Sequence, residues 1–132
     1  MSEENVEAWD RAISAFNDRS VEGMMAECDS EVEFRPVLAG VRSTPYRGTD
    51  GVREFLAATD DAFERFYLES ERLEDHGDWV LASCIGRARG RASGAEIERP
   101  MMHAAKFRNG KCVWWRTFLT RDEALEAAGL SE

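Results

Sequence analysis

The sequence predicts an α+β fold, with helices packed on one face of a curved antiparallel sheet. Three observations predict it. Apolar residues recur at helical spacing through the first part of the chain, alternating segments separated by turn signals fill the second half, and 132 residues suit one core without a second. Hydrophobic residues make up 43% and charged residues 33%, enough apolar material for a core and too much for a disordered acidic chain.

Val6, Trp9, Ile13 and Phe16 share one face of an amphipathic helix over about residues 3–18. Ser20 offers a second N-cap, and Val21, Met24, Met25 and Cys28 give a short helix ending near 29–30. Residues 31–37 alternate polar and apolar, a strand that Pro36 restricts to an edge or a strand end. Residues 38–48 read as a loop, and a third helix runs from 49 or 50 to about 65 with Val52, Phe55, Leu56, Thr59 and Phe63 on one face. Strands follow at about 66–74, 79–91, 96–108 and 111–119. Asn109-Gly110 is a strong hairpin signal between the last two, and the run reads as an antiparallel meander. Thr120-Arg121-Asp122-Glu123 is a capping box that starts a short C-terminal helix, with Gly129 as its stop.

The formal charge of −9 is unevenly spread: residues 1–33 hold ten acids and two bases, whereas residues 86–121 hold nine bases and two acids. Four arginines on strands, without interleaved aromatics, in an acidic chain do not make a nucleic-acid footprint, and no nucleic-acid partner is expected. Arg87, Arg89 and Arg91 share a strand face with Leu81 and Ile85, and the expected counter-charges are acids of the same domain or of a dimer mate. No apolar run approaches the roughly 20 residues that span a bilayer, so no membrane partner is expected. Ser2-Glu3-Glu4-Asn5 lacks the basic, apolar character of a secretion signal, and the expected location is cytoplasmic. Cys28, Cys84 and Cys112 form no CxxC pair and sit among apolar neighbours, which fits reduced thiols; neither a metal nor a cofactor is expected.

Several phrases then match a known family. The passage from Met24 to Pro36, the loop and helix Tyr46-Arg47-Gly48-Thr49-Asp50-Gly51-Val52-Arg53-Glu54-Phe55-Leu56, and the hairpin Ala105-Lys106-Phe107-Arg108-Asn109-Gly110-Lys111-Cys112-Val113 resemble the nuclear-transport-factor-2-like superfamily. Within it the chain is similar to the SnoaL-like, polyketide-cyclase-like proteins, over residues 1–132 as a single domain. The resemblance implies a cone of antiparallel sheet closed by three helices over an apolar pocket, usually dimerising through the outer sheet face. The scaffold carries isomerases, cyclases, hydrolases and non-catalytic proteins, so function has to be argued from the pocket.

By resemblance to the ketosteroid-isomerase branch, the positions of its base and its two oxyanion donors hold Arg35, Ala12 and His103, so that triad is missing. The acid of the cyclase branch, expected on the last strand, is replaced by Trp114, Trp115, Arg116 and Thr117, and the two aspartates of the epoxide-hydrolase branch are missing too. His103 remains. It shares strand parity with Met101, Ala105 and Phe107, so it is expected to point inward, as an acid/base with Arg35 as its electrostatic partner or as a core histidine satisfied locally. Arg35 has the alternative of a surface position paired with Glu31 or Glu33.

The resemblance implies a pocket lined by Trp9, Phe16, Met24, Tyr46, Phe55, Met101 and Trp115. Adjacent Trp114 and Trp115 face opposite sides of their strand, so one lines the pocket and the other lies on the outer face as a partner signal. Two functions follow as expectations. One is an isomerase, cyclase or lyase acting on a small apolar, carbonyl-bearing molecule through His103 and Arg35; the other is a non-catalytic ligand-binding or dimerising module, and a homodimer is expected in both.

Overall fold

The computed structural model describes residues 2–36 and 44–130. The elements run α1 (Ser2–Asn17), α2 (Val21–Ala26), β1 (Cys28–Arg35), β2 (Tyr46–Arg47), α3 (Gly48–Ala62), β3 (Phe63–His76), β4 (Trp79–Gly90), β5 (Glu96–Arg108), β6 (Lys111–Phe118) and α4 (Arg121–Ala127). The α+β class is as expected. Part of the expected loop, and the end of the strand before it, fall at residues 37–43, outside the described residues.

The six strands lie in the order β2-β1-β6-β5-β4-β3. β3 through β6 form the antiparallel meander, but β1 runs parallel to β6, with Phe34 opposite Trp115 and Arg35 opposite Arg116. The sheet is therefore mixed and not purely antiparallel. Alternation in a sequence reports which face each residue takes but carries no direction, so the pairing of β1 with the far end of the meander was not readable from it. The same pairing extends β1 backwards. Cys112 N–H donates to the Glu27 carbonyl, drawing Cys28 into the ladder and ending α2 at Ala26, earlier than helical spacing suggests.

α3 starts on Gly48, whose φ of +58° is a left-handed conformation that favours glycine, and whose ideal Cβ would lie 2.9 Å from the Ser30 carbonyl. Its amphipathic face buries Val52, Phe55 and Leu56 over the sheet, and α1 buries Trp9, Ile13 and Phe16 beside them. Polar anchors fix α1. Asn17 both donates to the Leu68 carbonyl and accepts from the Leu68 N–H, and Asn5 donates to the carbonyl of Gly77 in the β3–β4 turn. Gly86 on β4 admits close approach, since a Cβ there would meet Met101 Cε at 2.8 Å and Phe66 Cζ at 3.3 Å.

The inward faces of the strands and the three N-terminal helices enclose the main core. A second, smaller core of Leu81, Met102, Ala104, Phe118, Ala124 and Leu125 lies where α4 covers the outer face. Thr120 accepts from the Glu123 N–H at the start of α4, as the capping box predicts. Trp114 is consequently not a bare outward tryptophan: it is half-buried and packs edge-on against Trp79, with ring centroids 5.5 Å apart. Among the described residues, the large apolar side chains that do stand exposed are Ile97 and Leu119.

The basic stretch of β4 is neutralised within the domain. Arg87 reaches Glu98 at 2.6 Å and Glu69 at 3.4 Å, and Arg89 reaches Glu96 at 2.8 Å. Among the described residues no helix is long and apolar enough to cross a membrane.

Candidate functional site

The interior between the helices and the sheet contains two small adjoining cavities of about 50 Å³ and about 20 Å³. Phe16, Phe55, Leu68 and Trp115 stand on both walls, so the two are one apolar chamber divided by side chains. These volumes are far below the roughly 300–1,000 Å³ of preformed ligand pockets. The cone is mostly filled by its own aromatic rings. Phe16 stacks on Phe55 at 5.3 Å, and Phe34 lies 5.3 Å from Tyr46, 5.3 Å from Phe55 and 5.2 Å from Trp115.

Strand alternation places His103 inside, between Met101 and Ala105, and only 1% of it is exposed. Its ring is nearly parallel to that of Trp115, at 7° with centroids 5.6 Å apart, and Trp9 packs against it at 5.3 Å. Trp115 Nε1–H donates to His103 Nδ1 at 3.1 Å, and Thr117 Oγ1 lies 3.4 Å from the same nitrogen. An indole nitrogen can only donate, so Nδ1 carries the lone pair and the proton of the neutral ring sits on Nε2. That Nε2 is buried without a partner among the described residues, and so is Trp9 Nε1. Burial lowers the histidine to about 3, because the charged ring is desolvated with no carboxylate beside it. At neutral pH His103 is therefore an uncharged hydrogen-bond donor, not a group that exchanges protons near pH 7.

Arg35 does not join it. Its neighbour Phe34 points into the core, and by alternation Arg35 stands exposed on the opposite face of β1. The expected facing pair of histidine and cation is thus corrected to a surface arginine and a buried histidine, and Glu33, one of its suggested partners, bonds Arg47 at 2.9 Å instead. Trp9, Phe16, Met24, Phe55 and Trp115 line the larger cavity, and Met101 lines the smaller one with His103. Tyr46 lies in the core against Phe34 and Phe55 but on neither cavity wall.

Wall residues missed by the sequence reading include Val32, Phe34, Phe107, Thr117 and the pair Cys28 and Cys112. Parity with Phe34 on one strand and with His103 on another was the signal available for several of them. Glu27 is the one carboxylate among the described lining residues, and it is engaged by Arg11 at 3.0 Å.

A curved sheet closed by three helices around an apolar chamber is the nuclear-transport-factor-2-like fold. The chain belongs to the SnoaL-like domain family, whose model matches residues 9–115. No curated protein sequence is significantly similar. Among solved structures, the chain is similar to TerC co-crystallised with polyporic acid, at 21% identity and TM-score 0.78, covering 93% of this chain and 96% of that one. It is also similar to a protein with a ketosteroid isomerase-like fold from Catenulispora acidiphila in complex with trimethylamine, at 14% identity and TM-score 0.75, covering 95% and 94%. IdmH from Streptomyces antibioticus, a candidate polyketide cyclase, shares 19% identity at TM-score 0.75 over 96% and 99% of the two chains. At these identities the likeness is one of fold.

Proposed function

We propose that this protein binds a small, largely apolar molecule carrying a carbonyl-type acceptor, which receives a hydrogen bond from His103 Nε2–H. The observation that carries this reading is the pair of buried, unpartnered N–H donors in an otherwise apolar chamber. Leaving a buried donor unsatisfied costs about 1–3 kcal/mol, and a guest with a suitably placed acceptor recovers it. The small molecules held by TerC and by the Catenulispora protein lend support at the level of the fold.

In an isomerase or cyclase reaction this chain's histidine would act as a neutral electrophile, polarising a carbonyl or holding an enolate oxygen. It is poorly suited to be the base, because Nδ1 is occupied and Nε2 already holds a proton. The small size of the two cavities favours a second reading, a non-catalytic cone filled by its own side chains. We further propose a homodimer through the sheet and, from the three free thiols, a reducing, cytoplasmic location.

The test uses a matched pair of probes, 1-tetralone and its hydrocarbon tetralin, titrated by tryptophan fluorescence. The ketone is expected to bind about tenfold tighter, the worth of one recovered hydrogen bond. His103→Phe is expected to abolish the preference while leaving tetralin affinity nearly unchanged. Equal affinities in the wild type would refute the donor reading, and no binding of either probe would favour the filled cone.

A further inference from the structure

Two of the three cysteines meet on the chamber wall. Cys28, at the start of β1, and Cys112, near the start of β6, are direct partners in the parallel ladder, and the Cys112 N–H donates to the carbonyl of the residue before Cys28 at 2.9 Å. Both line the larger cavity, so their side chains leave the sheet on the same face. Neighbouring strands lie about 4.8 Å apart, within the window of Cα separations, roughly 4.4–6.8 Å, that a disulfide can bridge. Below Cys28 the ladder is interrupted until Glu33, so the strand carrying this thiol has slack on one side to adjust.

We propose that Cys28 and Cys112 form a peroxide-oxidisable thiol pair, closing reversibly to an intramolecular disulfide that pins β1 to β6 at the cavity wall. The two thiols are unequal in the way such chemistry needs. Cys28 is half-buried, and its hydrogen bond with the Cys112 thiol holds it below the ordinary thiol range, with Lys111 acting the same way against burial and the charges of Glu27 and Asp29. Cys112 is buried, and the same interaction together with desolvation holds it well above that range, so its S–H is the donor and Cys28 the thiolate acceptor.

The Cys28 thiolate attacks one oxygen of hydrogen peroxide, the O–O bond breaks, and hydroxide leaves to become water, giving a sulfenic acid. The Cys112 sulfur then displaces that hydroxyl, its thiol proton leaving with it as a second water. Two thiols are oxidised by two electrons in all, and one peroxide is reduced to two waters. Cys84 provides an internal control. It lies on β4 with Ser70 3.8 Å away, and burial pushes it up to about 11, so it has no comparable thiolate.

The experiment treats the native protein with one equivalent of hydrogen peroxide, blocks remaining thiols with N-ethylmaleimide after denaturation, and maps the peptides by mass spectrometry. The expected product is a single chain that has lost two hydrogens and gained one N-ethylmaleimide, on Cys84, with a Cys28–Cys112 cross-link that dithiothreitol reverses. Native labelling of Cys28 is expected to outpace that of Cys84 by about tenfold or more. In Cys112→Ser, the same treatment should leave a dimedone-reactive sulfenic acid on Cys28. The proposal is overturned if wild-type oxidation stops at a sulfinic acid on Cys28, links Cys28 between two molecules, or consumes Cys84 at the same rate.

Discussion

Acidification tests the protonation state assigned to His103. The folded ring titrates at about 3 and the unfolded one near 6.5, so between these values the unfolded chain takes up a proton that the folded chain refuses. The stability this burial contributes is complete above about pH 6.5 and is lost progressively as the pH falls toward 3, below which both states are protonated. The slope in that window is about 1.4 kcal/mol per pH unit, which integrates to about 2 kcal/mol between pH 7 and pH 5. Other groups titrate in the same range, so the comparison is with His103→Gln, whose amide oxygen can still accept from Trp115 Nε1 and does not ionise. Urea unfolding of both proteins at the two pH values should show the wild type losing about 2 kcal/mol more than the variant. Parallel losses would mean that the imidazole is protonated in the folded state or reaches water, and the assignment of a neutral Nε2–H donor would fall with it. Nitrogen-15 shifts of the ring report the tautomer independently, with Nε2 expected to carry the proton at pH 7.

Three further outcomes are expected. Gly48→Ala forces a left-handed residue and a Cβ against the Ser30 carbonyl, and should lower stability by about 1–3 kcal/mol in thermal or urea unfolding. Glu74 holds Arg121 of α4 at 2.6 Å and is lowered to about 2, chiefly by that guanidinium's hydrogen bond, so its contribution is present above about pH 4.5 and is lost toward pH 2. Arg121→Met should flatten the acid limb of the stability profile between about pH 4.5 and pH 2, read by urea unfolding at a series of pH values. Light scattering at micromolar concentration should return twice the chain mass; a monomer would remove the proposed dimer.

Face assignments were legible in the sequence because strand parity is local: Met101, His103, Ala105 and Phe107 point inward as their spacing requires. The arginines of β4 likewise turned outward, opposite Gly86 and Ala88. Long-range information was not legible. The parallel pairing of β1 with β6 joins residues some eighty positions apart, and it alone brings Cys28 beside Cys112. Arg35 shows how a single step of parity decides a site, since Phe34 takes the inward position and the guanidinium must face out. α4 covering the outer face, and with it the partial burial of Trp114, also depended on how the C-terminal segment folds back.

The sign of the histidine's contribution follows from the same geometry. A ring expected to exchange protons near pH 7 requires a charged form that its surroundings tolerate, and a facing cation would have opposed it even had Arg35 been inside. In a chamber of Trp9, Phe16, Phe34, Phe55 and Trp115 burial strips the imidazolium of its hydration, and the one lining carboxylate, Glu27, is engaged by Arg11, so the neutral ring prevails and Trp115 selects its tautomer. What such a chamber can discriminate is therefore an acceptor. A hydrocarbon guest would leave two N–H groups unpaired, whereas a carbonyl oxygen would satisfy one of them without introducing charge, and buried polar groups of this kind separate ligands more sharply than apolar shape does.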